Sequence, residues 1–353
     1  MERDANFDFG LPREFSRRVM MKNEQSEFSA NQLKIDLAKE AERIGGFLRE
    51  GVFKQLRRKG IVVGLSGGID SSCVAALAVH ALGPERVIGI FMPESDSSDD
   101  SLRLGQLLAK KLGIRTFKED ISGILKGADC YRRRDEAIKA VVPEYHAGYK
   151  SKLVLSSLDS SEFRISYVVV EDPAGKQAKV RLTADAFLAL VAATNFKQRT
   201  RKMMEYYYAD RFLYAVAGTP NRLEYDQGFF VKSGDGSADI KPIAHLYKSQ
   251  VYAMAGFLGV PDEILKRPPT TDTYSLAQSQ EEFYFSLPYD KMDLCLYGKD
   301  HQLPAATVAV AMGLTEAQVE RVYRDIDAKR AVARYLHMEP LLVEAIGEGR
   351  PRS

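Results

Sequence analysis

Apolar residues recur at Leu33, Leu37, Ala41, Ile44, Leu48, Val52 and Leu56. That spacing keeps them on one face of a helix and predicts a long amphipathic helix over residues 31–58, packed against a sheet or a partner subunit. The pattern then changes. Ile61-Val62-Val63-Gly64-Leu65 is an unbroken apolar run, the form taken by a strand buried on both faces. A helix-compatible stretch follows over residues 73–81, then the break Gly83-Pro84, a second strand over 86–93, a helix over 98–112 and a third strand over 114–119. Strands alternating with helices at this spacing predict an α/β fold with a doubly wound, mainly parallel sheet. A further strand is expected over 212–218, and a helix over 247–258 that Gly259 and Pro261 stop.

Between the third and fourth strands the regularity loosens. Residues 127–149 carry the basic cluster Tyr131-Arg132-Arg133-Arg134; its default reading is a solvated charge run, and a lid or substrate contact is the alternative. Residues 163–170 and 179–182 read as a hairpin around Asp172-Pro173-Ala174-Gly175, and a helix follows over 184–208. Near the end, 304–312 and 314–326 read as two short helices divided by Gly313, the second opened by a Thr315/Gln318 capping box.

Composition narrows the classes. A chain of 353 residues can build one large α/β domain or two smaller ones around a sizeable core. Hydrophobic content of 45% and charged content of 28% are those of a soluble globular protein. A net charge of +2 gives no reason to expect a nucleic-acid or membrane surface. The helix pair over 304–326 has the outline of a helix-turn-helix, but Glu316, Glu320, Asp325 and Asp327 outnumber Arg321 and Arg324 there, a poor match to phosphates. Cys73, Cys130 and Cys295 are scattered, with no Cys-x-x-Cys pair, and read as reduced cytoplasmic thiols rather than zinc ligands. No apolar run approaches the roughly 18 residues of a membrane helix, and residues 1–30 read as a frayed polar leader without a signal core.

The candidate chemistry starts at Ser66-Gly67-Gly68-Ile69-Asp70-Ser71-Ser72, where the first strand breaks into a glycine loop and a helix begins. Such a junction aims backbone N–H groups and a helix N-terminus at one point, where an anion is held. Two adjacent glycines allow close approach of a phosphate, and the serine hydroxyls supply further donors. The loop has neither the Gly-Lys-Ser/Thr ending of a Walker motif nor the spacing of a dinucleotide fingerprint. It matches the pyrophosphate loop of enzymes that cleave ATP between its α and β phosphates. A second set of chemical residues follows the expected fourth strand: Thr219, Glu224, Lys232 and Asp239, with Lys248 beyond. Loops at the C-terminal ends of strands are where doubly wound sheets bind ligands. Glu224 is a candidate Mg²⁺ ligand, and Lys232 and Lys248 are candidates for neutralising phosphate charge.

At these residues the chain resembles the ammonia-dependent NAD+ synthetases, a family of N-type ATP pyrophosphatases with an adenine nucleotide alpha hydrolase-like fold. The family pattern runs SGGIDS, a Met-Pro loop, Asn-x-x-x-Arg-x-Arg, Gly-Thr-x-x-x-x-Glu and Gly-x-Phe-x-Lys-x-Gly-Asp-Gly-x-x-Asp. Here it appears as Ser66 to Ser71, Met92-Pro93, Asn195 to Arg201, Gly218-Thr219 with Glu224, and Gly228 to Asp239. The resemblance covers roughly residues 33–330. It implies that ATP adenylates the carboxylate of nicotinic acid adenine dinucleotide, releasing pyrophosphate, and that ammonia then displaces AMP. It further implies that Gly64, Leu65, Ser66, Gly67, Gly68, Ile69, Asp70 and Ser71 bind ATP together with Thr219, Lys248 and Thr270. By the same carry-over Asp70 and Glu224 hold Mg²⁺, and Arg199, Lys232, Asp239 and Lys329 contact the dinucleotide. Asp70, Lys232, Lys248 and Asp272 are then the catalytic set, with Asp272 in a mobile loop. A homodimer is implied, because the family binds its substrate near the subunit interface.

The departures from that pattern bear on the acceptor. Residues 125–180 include an insertion of about 40 residues relative to a compact family member, set within a domain spanning 31–300 and followed by a helical extension, 301–353. Pro220 and the pair Ala328-Lys329 stand where the family has other residues, a His-Lys pair in the second case. A different carboxylate acceptor, or an inactive regulatory homologue, is therefore the alternative. No cysteine precedes Cys73 to serve a glutaminase, so the expected nitrogen source is free ammonia or a separate glutaminase partner.

Overall fold

The computed structural model describes residues 28–155, 165–269, 273–276, 278–279, 281–285 and 287–344. In chain order its strands are β1 (Ile61–Gly64), β2 (Val87–Phe91), β3 (Arg115–Lys118), β4 (Lys150–Leu155), β5 (Ser166–Glu171), β6 (Gln177–Arg181) and β7 (Ala215–Val216). The central sheet runs β3-β2-β1-β7, all parallel, with Ile61 opposite Val87 on one side and Ala215 on the other. The side chains of β1 alternate between two apolar layers. Ile61 and Val63 join Ile44, Leu48, Cys73, Leu77 and Met254, from the helices Leu37–Glu50, Ile69–Leu82 and Lys248–Phe257. Val62 joins Ile88, Ile90, Val216 and Tyr208 on the opposite face, under the 29-residue helix Ala184–Phe212. Burial on both faces is why β1 reads as an unbroken apolar run, and it gives the expected α/β layering.

Several expected elements differ in extent: the last helix, expected over 314–326, runs from Glu316 to His337, and the one expected over 184–208 continues to Phe212. The expected helix over 31–58 is broken into a 3-10 turn, Ala30–Leu33, the α-helix Leu37–Glu50 and a π-helical turn, Gly51–Gln55. Asp36 ends the first break by accepting the Lys39 N–H at 3.1 Å as a helix cap. Hydrophobic spacing does not register such a break, because the apolar face resumes in phase. The fourth strand shrinks from 212–218 to Ala215–Val216, because the preceding helix continues to Phe212. Leu213, with φ 56°, ends that helix, and the Phe212 ring stacks on Phe117 at 5.8 Å.

The loosened region is a subdomain with its own core. β4, β5 and β6 form an antiparallel sheet, and the β5–β6 turn is the expected one. In that turn Asp172 Oδ1 accepts the Ala174 and Lys176 N–H groups at 2.9 Å, and Gly175 has φ 84°. β4 and the helix Cys130–Lys139 were not legible as elements in the sequence. The core of Ile138, Tyr145, Leu153, Val168 and Val170 docks on Ala186 and Leu190 of the long helix.

The arginine cluster divides. Arg132 is a surface residue paired with Asp129 and Glu136, as a solvated run would be. Arg134 is not: it is largely buried and its guanidinium lies 2.5 Å from Asp96. The same Asp96 oxygen takes Lys197 Nζ at 2.6 Å, and that ammonium also meets Glu94 Oε1 at 2.9 Å and the Thr273 carbonyl at 2.7 Å. Tyr131 donates to Glu94 Oε2 at 2.9 Å. Lys197 is fully buried, so it repays its desolvation only through these partners. Replacing it with Met is expected to cost about 3–5 kcal/mol, read as a lower urea midpoint, with Glu94→Gln in the same chain recovering part of the loss. A cost no larger than a surface Lys→Met change would refute this account.

Candidate functional site

β1 delivers the glycine loop to the N-terminus of the helix Ile69–Leu82, whose N-cap is Gly68, in extended conformation and without a side-chain cap. Gly67 has φ 72°, and a β-carbon there would run into the Ser101 carbonyl oxygen, so only glycine fits. The serines hold the loop's own shape. Ser71 Oγ and Ser72 Oγ donate to the Gly68 carbonyl at 3.1 and 2.8 Å, and Ser66 Oγ accepts the Gly68 N–H at 3.3 Å. Two of the hydroxyls expected to face an anion are thus engaged with the backbone. Arg267, which sequence reasoning passed over, lines the cleft and braces the loop, donating to Ser101 Oγ at 2.9 Å and lying 3.5 Å from the Gly67 carbonyl.

Asp70 follows in the first helical turn and meets the second chemical region there. Its Oδ2 takes Lys248 Nζ at 2.5 Å, and its Oδ1 accepts Asn221 Nδ2 at 2.9 Å. Asn221 caps the helix Arg222–Gln227 in a reciprocal box: its N–H reaches Glu224 Oε2 at 3.1 Å and its Oδ1 takes the Glu224 N–H at 3.3 Å. Glu224 Oε1 lies 4.0 Å from the same Lys248 ammonium. The Asn-x-x-Glu spacing is the local signal that would have picked out Asn221. Lys248 is 1% exposed. Burial works against its charge, but the Asp70 and Glu224 carboxylates outweigh it and hold its pKa above the usual lysine range.

A cleft of about 510 Å³ opens over this constellation. Gly64, Leu65, Ser66, Gly68, Ile69, Asp70, Ser71, Thr219, Glu224 and Lys248 line it, and Gly67 supports it from the Ser101 side. One wall is apolar and aromatic: Leu153 from β4, Phe187 and Val191 from the long helix, and Phe229, Phe283 and Tyr284. Lys202, Glu205 and Asp235 also line it, and none of the three was singled out from the sequence.

Arg199, Lys232, Asp239 and Lys329, the expected dinucleotide contacts, are not among the residues that line this cleft. Lys232 Nζ donates to the Tyr335 and Met338 carbonyls at 2.9 and 3.2 Å, and Arg199 Nε donates to the Lys232 carbonyl at 3.3 Å. Asp239 accepts the Val216 N–H at 2.8 Å and the Tyr206 hydroxyl at 3.2 Å. Lys329 pairs with Asp325 at 2.7 Å and donates to the Tyr284 carbonyl, one layer behind the cleft wall. Thr270 and Asp272 lie outside the described residues.

A parallel sheet carrying a glycine loop, a helix N-terminus and a buried Asp–Lys–Glu constellation at its strand ends defines an α/β nucleotide-binding protein. The family model for NAD synthase matches residues 40–170 and 174–332. A Rhizobium meliloti protein named NH3-dependent NAD+ synthetase is 58% identical over 322 residues, 91% of this chain and 96% of the relative. A Mesorhizobium japonicum protein of the same name is 59% identical over 317 residues, covering 90% of this chain and 99% of the relative. Among solved structures, an NH3-dependent NAD synthetase from Campylobacter jejuni shares the fold, with a TM-score of 0.57, 22% identity and coverage of 88% of this chain and all (100%) of that one. The chain belongs to the NAD synthase family.

Asp293 positions Lys248 from below. It is fully buried, and its two carboxylate oxygens accept the Lys248 and Ser249 N–H groups at 3.1 and 2.7 Å, capping the helix Lys248–Phe257. Burial pushes its carboxyl up to about 6 against the pull of those N–H groups. The folded state therefore holds this proton more tightly than the unfolded chain. Its stabilising contribution is complete below the ordinary carboxylate range, near pH 3.9, and is lost as pH rises through about 6. The stability of the native protein minus that of Asp293→Asn is expected to fall by on the order of 2 kcal/mol between about pH 4 and about pH 7, measured by urea unfolding across that range. A flat difference would rule out the raised carboxyl. Gly67→Ala, by forcing the loop off Ser101, is expected to weaken ATP binding roughly tenfold or more while leaving the protein folded, measured by calorimetry and circular dichroism.

Proposed function

We propose that this chain is an ammonia-dependent NAD+ synthetase. The observation that carries the reading is the meeting, in one cleft, of the glycine loop with Asp70, Glu224 and Lys248, in a chain that aligns with nearly the full length of relatives bearing that name. The carboxylate of nicotinic acid adenine dinucleotide attacks the α-phosphorus of ATP. A bond forms from carboxylate oxygen to phosphorus, the bond to the β-phosphate oxygen breaks, and pyrophosphate leaves. Ammonia then adds to the acyl carbon and gives up a proton as AMP departs with the former carboxylate oxygen, leaving the nicotinamide of NAD+. No protein nucleophile is needed, so the work of the chain is positioning and charge stabilisation.

In this reading the helix N-terminus at Gly68 and the loop N–H groups hold the phosphates, and Thr219 contacts ATP from the opposite side. Lys248, kept charged by its two carboxylates, stabilises negative charge as pyrophosphate departs. Asp70 and Glu224 converge on one cation already, Lys248, and two carboxylates with phosphate oxygens make a set suited to Mg²⁺. When bound there, Mg²⁺ would screen the phosphates; Asn221 keeps both carboxylates aimed at the same point.

We further infer a homodimer. The long helix leaves Leu188, Met203 and Tyr207 at 63%, 52% and 52% exposure on the face that carries Arg199. Pairing across that face would bring dinucleotide contacts from Arg199, Lys232 and Asp239 within reach of a second subunit, and Lys329 would act through Tyr284. Thr270 would contact ATP and Asp272 would complete the catalytic set. Among the described residues no helix is long and apolar enough to cross a membrane, and the three cysteines are buried free thiols, which supports a cytoplasmic enzyme.

The test is pyrophosphate release from ATP, Mg²⁺ and ammonium, with and without nicotinic acid adenine dinucleotide. Release is expected to require the dinucleotide and to yield NAD+ and AMP, with glutamine replacing ammonium only when a separate glutaminase is added. Lys248→Met is expected to lower the rate roughly 100- to 1,000-fold. ATP binding without dinucleotide-dependent release would overturn the reading and move the search to another carboxylate, for which the apolar wall of the cleft is the place to look.

A further inference from the structure

The proposed reaction leaves one buried ion pair in the cleft without a task. Lys202 and Glu205, one turn apart on the helix Ala184–Phe212, are 6% and 7% exposed and meet through Nζ and Oε2 at 2.5 Å. Their neighbours Met204, Tyr208 and Ala209 pack into the apolar layer against Val62 and Ile90. A charged pair set against that layer breaks the local pattern, and such a pair seldom stabilises a fold as well as an apolar one would. Local rules broken without a structural return are expected at functional positions.

The geometry shows what Glu205 faces. Its Oε1 lies over the last residue of β1: a β-carbon at Gly64 would stand 2.5 Å from that oxygen and 3.1 Å from Met92 Cε. Among the described residues Oε1 accepts no hydrogen bond, since the bond from Lys202 goes to Oε2. Glu205 lines the cleft together with Gly64 and Met92. A hydrogen-bond acceptor held in place by its own lysine is thus presented to whatever lies over Gly64.

Position along the chain identifies that occupant. Gly64 stands two residues before Ser66, where the phosphate loop starts, a span of roughly 7 Å in extended chain. A nucleotide whose phosphates lie on the loop places its ribose at about that distance, and its base a ring's width further. A fixed carboxylate oxygen repels phosphate but accepts well from neutral hydroxyls. We propose that Glu205 Oε1 accepts hydrogen bonds from the ribose hydroxyls of ATP, and that Lys202 positions the carboxylate, so that the pair selects ribonucleotides over deoxyribonucleotides. This assignment rests on the placement of the ATP phosphates at the glycine loop.

Calorimetric binding of α,β-methylene ATP and its 2′-deoxy and 3′-deoxy forms, in the presence of Mg²⁺, tests it without turnover. The native protein is expected to bind the ribose form roughly 10- to 100-fold more tightly than at least one deoxy form, the range for a hydrogen bond to a charged group. Lys202→Met with Glu205→Met, which replaces the pair by apolar residues of similar length, is expected to bind all three alike, at the affinity of the native protein for the deoxy form. Equal affinities in the native protein would overturn the proposal, as would a double variant that weakens all three nucleotides by one common factor. Discrimination retained in a protein that forms no NAD+ would sink the synthetase reading alone; failure to bind any of the three nucleotides would sink both.

Discussion

The site is organised around one buried ammonium. Lys248 has almost no contact with water, so its charge is tolerable only while Asp70 lies against it and Glu224 stays near. Those partners come from different parts of the chain: Asp70 from the helix that follows the glycine loop, Glu224 from the short helix after β7, Lys248 from the start of a third. Asn221 locks the first two together, and Asp293 holds the backbone of the third. Loss of one member would leave the others with uncompensated charge, which makes the constellation rigid as well as electrostatically poised. In the proposed reaction that rigidity is useful, because charge developing on a leaving pyrophosphate meets groups that need not reorganise.

A second buried charge system couples the subdomain of β4, β5 and β6 to the same cleft. Lys197 gathers Glu94 and Asp96 from the loop after β2, and Arg134 of the helix Cys130–Lys139 closes on Asp96 from the other side. The loop that carries these acids also places Met92, Ser97 and Ser98 in the cleft wall. The subdomain is therefore no surface appendage. Its sheet lends Leu153 to the apolar wall, and its helix, through Arg134, holds a loop that lines the cleft. The subdomain is held against that loop by ionic contacts that salt screens only weakly.

How much was legible divides along a physical line. Features set by neighbours in sequence could be read: the buried run of β1, the glycine loop and its helix, the Asp172 turn, the capping of the last helix by Thr315. Features set by distant partners could not. Arg134 looked like part of a solvated cluster because its partner, Asp96, is far away in sequence. β4 was missed because its pairing with β5 crosses a long connection, and Glu205 because its significance depends on Gly64 and Met92 lying opposite.

The sequence by itself determined the class of the fold and the loop that anchors its chemistry, since hydrophobic period and glycine placement are local properties of the chain. It also carried, through the resemblance, the family to which the chain belongs. Tertiary structure alone decided which charges meet. Lys248 joined Asp70 and Glu224, whereas Lys232 went to the end of the last helix and Lys329 reached the Tyr284 carbonyl behind the cleft wall. A lysine looks the same in sequence whether it is solvated, clamped or buried in a site. Its role depends on the dielectric and the counter-charges around it, and those exist only once remote segments have packed together.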